Sequence, residues 1–403
     1  MWVGVGMKLF EEKGNCCGCT ACMSICPRGA IRMEPDAEGF LYPQVDDEKC
    51  VNCGLCKTVC VFQNGYEREE TEPKQTGYAV KHKKEEVREA SRSGGMFTAI
   101  SDYILESGGT IYGAGYGEHF KVIHKCATTA GERDELRGSK YVQSELGNCF
   151  LEIKEKLSAG EKVLFSGTPC QTAALRAYCG EKLRKKLYLV DILCHGVPSD
   201  LMWQEFLRLR EKELRGKVEQ VDFRNKKRFG WQAHHESLVV KGAEYSSKIY
   251  ASLYGRNMML RPSCYQCIYT NKCRPSDVTL ADFWGHEKAV PGFHEDDKGC
   301  SLVLGNTKKG RAWIRKVLEE IEWQEVTGYP YRHSAMRRPV EKPGEREQFF
   351  ADYRENGFSY VAEKYGDYRP EPYIVIRAKA MLRKLGGEKL YRFLRRLYRG
   401  IKD

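Results

Sequence analysis

Two apolar runs set the frame of this chain. KVLFSG (162–167) and LYLVDILC (187–194) hold too few polar positions for strands with one wet face, so both read as strands of a buried parallel sheet. Between them, PCQTAALRAYCG reads as a helix, with Thr168 placed to cap it and Pro169 in its first turn. Consecutive parallel strands end at the same edge. GTPCQ (167–171) therefore lies beside CHGVPS (194–199), where open α/β sheets seat ligands. GYAVKH, TIYGAGY and KVIHKCAT read as further strands, and SRSGGMFTAISDYILESGG as a helix opened and closed by glycines. SELGNCFLEIKEKLSAG and SDLMWQEFLRLREKELRG read as helices, with strands around QVDFRN and SLVVKG. KKGRAWIRKVLEEIEW predicts one more helix near the end, and the charged, proline-bearing NGYEREETEPKQTG (64–77) a linker.

The cysteines change the picture. Cys16, Cys19, Cys22 and Cys26 follow the spacing C-x2-C-x2-C-x3-C with Pro27 next, and Cys50, Cys53, Cys56 and Cys60 repeat it. This run holds [4Fe–4S] clusters in two-cluster ferredoxins, where the fourth cysteine of each run serves the other cluster. The crossover rule assigns Cys16, Cys19, Cys22 and Cys60 to one cluster and Cys50, Cys53, Cys56 and Cys26 to the second. Zinc prefers two pairs separated by a dozen or more residues, which this spacing does not provide. Val61 stands where a second proline is usual, and Cys17 is surplus, a small residue expected to be buried. A third group, Cys264, Cys267 and Cys273, lacks one ligand. Cys194 or Cys170 is available as the fourth, and both a third [4Fe–4S] cluster and a structural zinc fit.

The expected class is α/β with mixed α+β character: a dicluster ferredoxin-like domain, an α/β body with a parallel or mixed sheet, and a helical tail. The boundaries are 8–66, 76–158, 159–335 and 336–403. With 403 residues there is ample chain for separate cores. The N terminus carries no secretory-signal pattern and no run reaches a membrane span, so a cytoplasmic, reducing setting is expected for the 18 cysteines. Of the net charge of +11, +7 lies from Glu371 to Asp403. The body is only mildly basic and carries no nucleic-acid module. The tail sets Leu390, Leu394, Leu397 and Ile401 on one helical face among basic residues, a pattern suited to a membrane surface, an acidic partner or packing on the body.

Clusters carry electrons singly, and chemistry on an organic substrate calls for a centre that exchanges two, which a flavin does. SRSGGMF, RGSKYVQS and SGTPCQ are glycine-and-hydroxyl loops suited to phosphate, two of them at helix starts. RGSKYVQS, VLFSGTPCQTAAL, VDILCHGVPS, FRNKKRFGW, RPSCYQC and SDVTLADFWG closely resemble the β subunits of coenzyme F-420 hydrogenases and dehydrogenases, a family similar to plant 7-hydroxymethyl chlorophyll a reductase. The likeness runs from about Gln75 to about Glu325, with Ala281 where a glycine is usual. It implies FAD bordered by Ser93, Gly94 and Gly95, by Gly138, Ser139, Lys140 and Tyr141, and by Gly167, Thr168, Pro169, Cys170 and Gln171. It also implies Cys194, Cys264, Cys267 and Cys273 as ligands of the extra cluster.

The expectation is an iron–sulfur flavoprotein oxidoreductase. It passes electrons from reduced ferredoxin or another redox protein through the clusters and FAD to a small organic hydride acceptor, or in reverse. The alternatives are a reductase or dehydrogenase of the deazaflavin coenzyme itself, a non-catalytic electron-transfer subunit that feeds a separate enzyme, and a zinc-bound scaffold. His195 is the candidate proton donor. Arg224, Lys226 and Lys227 with Trp231 read as an anion clamp or an exposed charge run, and Trp284 as core.

Overall fold

The structure, a computed structural model, describes residues 7–66, 76–326 and 333–368. Near the N terminus, β1 (Ile31–Pro35) and β2 (Leu41–Val45) pair antiparallel, Ile31 opposite Val45. Short helices Ala21–Ile25, Leu55–Thr58 and Val61–Asn64 carry or adjoin the cysteines. The apolar core of this unit is small, centred on Leu9, Ile31 and Cys56. A unit of that size buries too little surface to stand alone without a bound group or a neighbour.

The body is built on an eight-stranded sheet. Its strands are β3 (Thr76–His82), β4 (Thr110–Tyr116), β5 (Val122–Ala127), β6 (Val163–Gly167), β7 (Leu187–Ile192), β11 (Val278–Asp282), β12 (Ser301–Gly305) and β13 (Ile321–Val326), in the order β13-β3-β12-β11-β7-β6-β4-β5. Strands β4, β6, β7 and β11 run parallel, and antiparallel pairings flank them. Strands from 76–158 and from 159–335 thus share one sheet.

Val163, Phe165, Leu187 and Leu189 pack against helices Cys149–Ser158 and Pro169–Arg184. Leu164, Val190, Val278 and Val303 point the other way, against helices Met96–Glu106 and Lys308–Lys316. Both faces are covered, so the alternation merges into the continuous apolar runs seen in the sequence. Each such buried side chain stabilises the sheet by about 2 kcal/mol.

A second sheet, β8 (Val218–Asp222), β9 (Glu236–Val240) and β10 (Ala243–Ser247), is an antiparallel meander. It shares a core with helices Asp200–Leu214, Ile249–Gly255 and Arg346–Tyr365 around Trp203, Phe206, Tyr250 and Phe349.

One element differs from expectation. The helix expected over KKGRAWIRKVLEEIEW stops at Lys316, and Ile321–Val326 forms edge strand β13 on β3. Pairing with the open edge of β3 outweighs the local helix preference of LEE, which is weak over so few residues. The amphipathic face at Leu390, Leu394, Leu397 and Ile401 lies outside the described residues. Among those described, no helix is long and apolar enough to cross a membrane.

The N-terminal unit is fastened to the body by polar contacts. Arg346 holds Glu38 with two bonds, at 2.5 and 3.1 Å. Ser199 Oγ donates to the Glu38 carbonyl (2.6 Å), and Gln143 Nε2 to the Cys17 carbonyl (2.9 Å).

Candidate metal centres and the sheet edge

The crossing of the two cysteine runs follows from their helices. Ala21–Ile25 packs on Leu55–Thr58, so the last thiol of each run turns away from its own loop. Cys16, Cys19, Cys22 and Cys60 stand within electrostatic range of one another. Burial pushes the Cys16 thiol up to about 11, against the pull of Arg261, and lifts Cys22 and Cys60 as well. Ionising so many buried thiols together is costly, and a bound cation that replaces the protons relieves the cost.

Cys26, Cys50, Cys53 and Cys56 line one small pocket with Ile31 and Val45 in its wall. The Ala30 N–H points at Cys26 Sγ (3.3 Å). Cys53 is exposed, and Val51 and Leu55 beside it are 59 % and 43 % exposed. Among the described residues no three His, Cys, Asp or Glu side chains converge on a single ion. A tetrahedral zinc, with Zn–S near 2.3 Å, draws its thiolates together, whereas a cubane holds them apart. Each donor set is all thiol, three from one run and one from the other, the set a [4Fe–4S] cluster takes.

The third group sits at the carboxyl edge of the sheet. Cys194, Cys264 and Cys267 face one another and also Cys170. Burial drives all three thiols up, Cys264 to about 12 and Cys267 to about 11. Cys273 is half-buried, its carbonyl accepting from Tyr66 Oη (2.5 Å) and its N–H donating to Asn271 Oδ1 (2.7 Å). Cys17 is buried, as expected, and is hydrogen-bonded to Cys19 on one side and Cys170 on the other. That contact holds Cys170 down at about 7. Tyr269, buried between Cys19 and Cys267, fills the remaining space.

The three flavin-associated loops meet the same edge differently. The Thr168 N–H donates to Gln171 Oε1 (2.9 Å) and Gln171 Nε2 to Ser144 (3.1 Å), so Thr168, Pro169 and Gln171 close the helix start beside Gly167. The Ser93–Gly94–Gly95 loop is spent on backbone contacts. Ser93 Oγ donates to the Cys300 carbonyl (2.7 Å), and a Cβ on Gly94 would meet the Val80 carbonyl at 2.0 Å. Gly138 and Ser139 are exposed. Lys140 bonds to the Glu135 and Arg137 carbonyls, and burial with Lys125 nearby pulls it down to about 7.

Tyr141 lines a narrow aromatic cleft shared with Phe223, His234, Tyr250 and Tyr254. The rings of Tyr141 and Tyr254 lie 5.0 Å apart. Tyr254 reaches back to the thiol group, donating to the Gly196 carbonyl (3.3 Å). His195 is exposed, bonded to Asn257 Oδ1 (2.7 Å), with its ring 5.2 Å from Tyr254. His234 is exposed on the rim of this cleft, and its partial desolvation, with Arg224 and Arg92 beside it, lowers its imidazole pKa.

Two readings of side chains are corrected. Arg224 and Lys226 are buried, not a solvated run, although Lys227 is exposed. Arg224 pairs with Asp282 (2.6 Å) and bonds to Tyr141 Oη (3.2 Å), while Lys226 is held by the Arg88 and Lys298 carbonyls. Trp284 is 37 % exposed and stacks on buried Trp231 with centroids 4.7 Å apart. It is a surface platform because Trp231 takes the core position and bonds Asp282 through Nε1 (3.0 Å). Sequence reasoning missed Arg92, Asp282, Tyr254 and Arg261. Asp282 and Arg261 lie inside quoted motifs, where a charge amid apolar neighbours was the available signal.

Residues 160–328 match the family model for the C terminus of the coenzyme F420 hydrogenase/dehydrogenase beta subunit, and 15–64 match a 4Fe-4S dicluster domain. The chain thus carries the C-terminal domain of that beta-subunit family behind a 4Fe-4S dicluster domain, the region in which both N-terminal donor sets lie. Among its relatives, the F subunit of the F(420)H(2) dehydrogenase of Methanosarcina mazei is 23 % identical over 213 residues, 49 % of this chain and 60 % of that protein. The alignment thus spans less than two thirds of that relative's length. An uncharacterized ferredoxin of Methanocaldococcus jannaschii is 30 % identical over 56 residues, 14 % of this chain and 71 % of the ferredoxin. A solved structure of the F420-reducing [NiFe] hydrogenase complex from Methanosarcina barkeri aligns at 19 % identity, with 73 % of this chain and 92 % of that chain covered and a TM-score of 0.44.

Proposed function

We propose that the protein is an iron–sulfur flavoprotein oxidoreductase that passes electrons between a reduced ferredoxin-type donor and an organic hydride acceptor. One arrangement carries this reading. Thiols run from exposed Cys53, through the half-buried nest of Cys16, Cys19, Cys22 and Cys60, across Cys17 to Cys170, Cys194, Cys264 and Cys267, and stop beside Tyr254 at the aromatic cleft. When bound, the clusters supply single electrons and the flavin exchanges them for the pair of a hydride.

The residues present fit these groups. The two N-terminal quartets would each hold a [4Fe–4S] cluster. Cys194, Cys264 and Cys267, with Cys170 or Cys273, would hold a third. Gly138, Ser139, Lys140 and Tyr141 lead into the aromatic cleft, and the half-buried Arg92, whose buried Nε has no partner among the described residues, offers a cation to an anionic cofactor group. Tyr141, Phe223 and Tyr250 exclude water from that cleft. His195, on the rim beside Tyr254, is the group that would hand over a proton. Trp284, stacked on Trp231 and with the Arg224 guanidinium 5.3 Å from its ring, would support a flat substrate.

Protein purified without air should contain iron, acid-labile sulfide and FAD. Reduced ferredoxin should bleach the flavin bands, and a conjugated-ring acceptor should restore them. A colourless preparation holding zinc alone would reject this reading. The names of the matched relatives favour a second reading, in which the deazaflavin coenzyme is itself the acceptor. Reoxidation by that coenzyme alone among the acceptors tested would select it.

A further inference from the structure

The sequence MMLRPSC places one arginine in an otherwise apolar stretch, and Arg261 is 1 % exposed. Its guanidinium is spent on neutral acceptors across the domain boundary. Nε donates to the Cys16 carbonyl, Nη1 to Gln143 Oε1 and Nη2 to the Leu41 carbonyl, each at 2.9 Å, and Nη2 lies 3.9 Å from Cys16 Sγ. The charge sits 4.3 Å from the Tyr42 ring centroid. Gly18 approaches so closely that a Cβ there would lie 2.8 Å from Nη1. The nearby acids are engaged elsewhere, Asp36 with Lys13 and Glu38 with Arg346. A buried cation without an anion is costly to keep.

The two N-terminal thiol nests have the same spacing and different surroundings, the inner thiols being the more desolvated. The outer one, Cys26, Cys50, Cys53 and Cys56, opens to solvent at Cys53. Water stabilises added negative charge, so burial alone would make the inner nest the harder of the two to reduce. An electron arriving from outside would then halt at the outer nest. Arg261 counters that effect with a fixed positive charge facing the inner thiols, unscreened by solvent.

We propose that Arg261 is a positioning residue that makes the inner thiol nest the preferred seat of an incoming electron. The inference rests on the reading of both nests as [4Fe–4S] sites. The step is a one-electron exchange: the outer cluster is oxidised, the inner one is reduced, and no bond or proton moves.

The test is an EPR-monitored redox titration of the full chain, after iron and sulfide have been counted. Signals are assigned with Cys53→Ala, which strips one outer ligand. Arg261→Met should shift the electron partition at least tenfold toward the outer cluster, about 59 mV for one electron. Gln143→Glu places a carboxylate against the guanidinium, neutralising it without removing the side chain, and should shift it the same way. Arg261→Lys, which keeps the charge, should shift it less than either. A purely structural role would leave the partition of loaded Gln143→Glu protein unchanged, and that result overturns the proposal. If Arg261→Met loses iron, Gln143→Glu decides alone. Absence of sulfide from the wild-type protein is a separate result: it rejects the reading of the nests and the proposal with it.

Discussion

The inner and outer thiol nests are a natural controlled pair. Their sequence spacing is identical, yet the four thiols of one are all half-buried against the body, while the other runs from buried Cys56 to exposed Cys53. Cys16, Cys19, Cys22 and Cys60 adjoin Arg261, Cys17 and Tyr269, whereas Cys53 is exposed between Val51 and Leu55. Spacing decides what can be caged, and surroundings decide what the cage does. Under the proposed function, the outer nest meets the donor and the inner one hands on what it receives.

The largest contrast should come from removing one ligand in each nest. Cys19→Ser should cost about four irons per chain and also unseat the N-terminal unit, because that nest is part of the contact with the body. Cys53→Ser should cost the same iron while leaving the unit docked. Limited proteolysis after the 8–66 segment separates the two outcomes; equal release in both would break the comparison.

Next in size is the clamp. Glu38→Ala leaves Arg346, which is 3 % exposed, without its carboxylate. A loss of about 3 kcal/mol in denaturant unfolding is expected, as for other broken buried pairs. A change below about 0.5 kcal/mol would show that the polar fastening is dispensable.

Acid should separate the regions further, since the described N-terminal unit has no histidine and the body has several. Burial holds His124 and His294 neutral down to about 4. An ordinary histidine titrates near 6.5. Between these values the unfolded chain binds protons that the folded body refuses, so stability falls as pH drops from about 6.5 toward 4. Each group contributes at most about 1.4 kcal/mol per pH unit. Thermal unfolding of His294→Gln should show a shallower acid slope than wild type, and an unchanged slope would remove His294 from the account.

The smallest stability effect is expected at the rim. Val51→Ser with Leu55→Ser should change unfolding by about 0.5 kcal/mol or less, because both side chains already meet water. Electron uptake from reduced ferredoxin should nonetheless slow. Unchanged uptake would move the donor's docking surface elsewhere.

Much of this was legible in the chain. The buried runs at 162–167 and 187–194 and the cap at Thr168 announced the βαβ unit because local pattern and burial agree there. The Cys runs announced a dicluster domain because ligand spacing is a local geometric constraint. Strand β13 was not legible, since its pairing with β3 is set by a partner more than 200 residues away. Nor was Trp284, whose exposure depends on Trp231 taking the core position. Arg261 was visible as a residue but not as a charge beside Cys16, for the two are brought together only by docking of the N-terminal unit.

The most direct test of the central claim is the metal and sulfide content of protein isolated without oxygen. Two loaded nests predict about eight iron and eight sulfide per chain, rising to about twelve of each with the third thiol group filled. Stoichiometric zinc with no acid-labile sulfide would contradict the account.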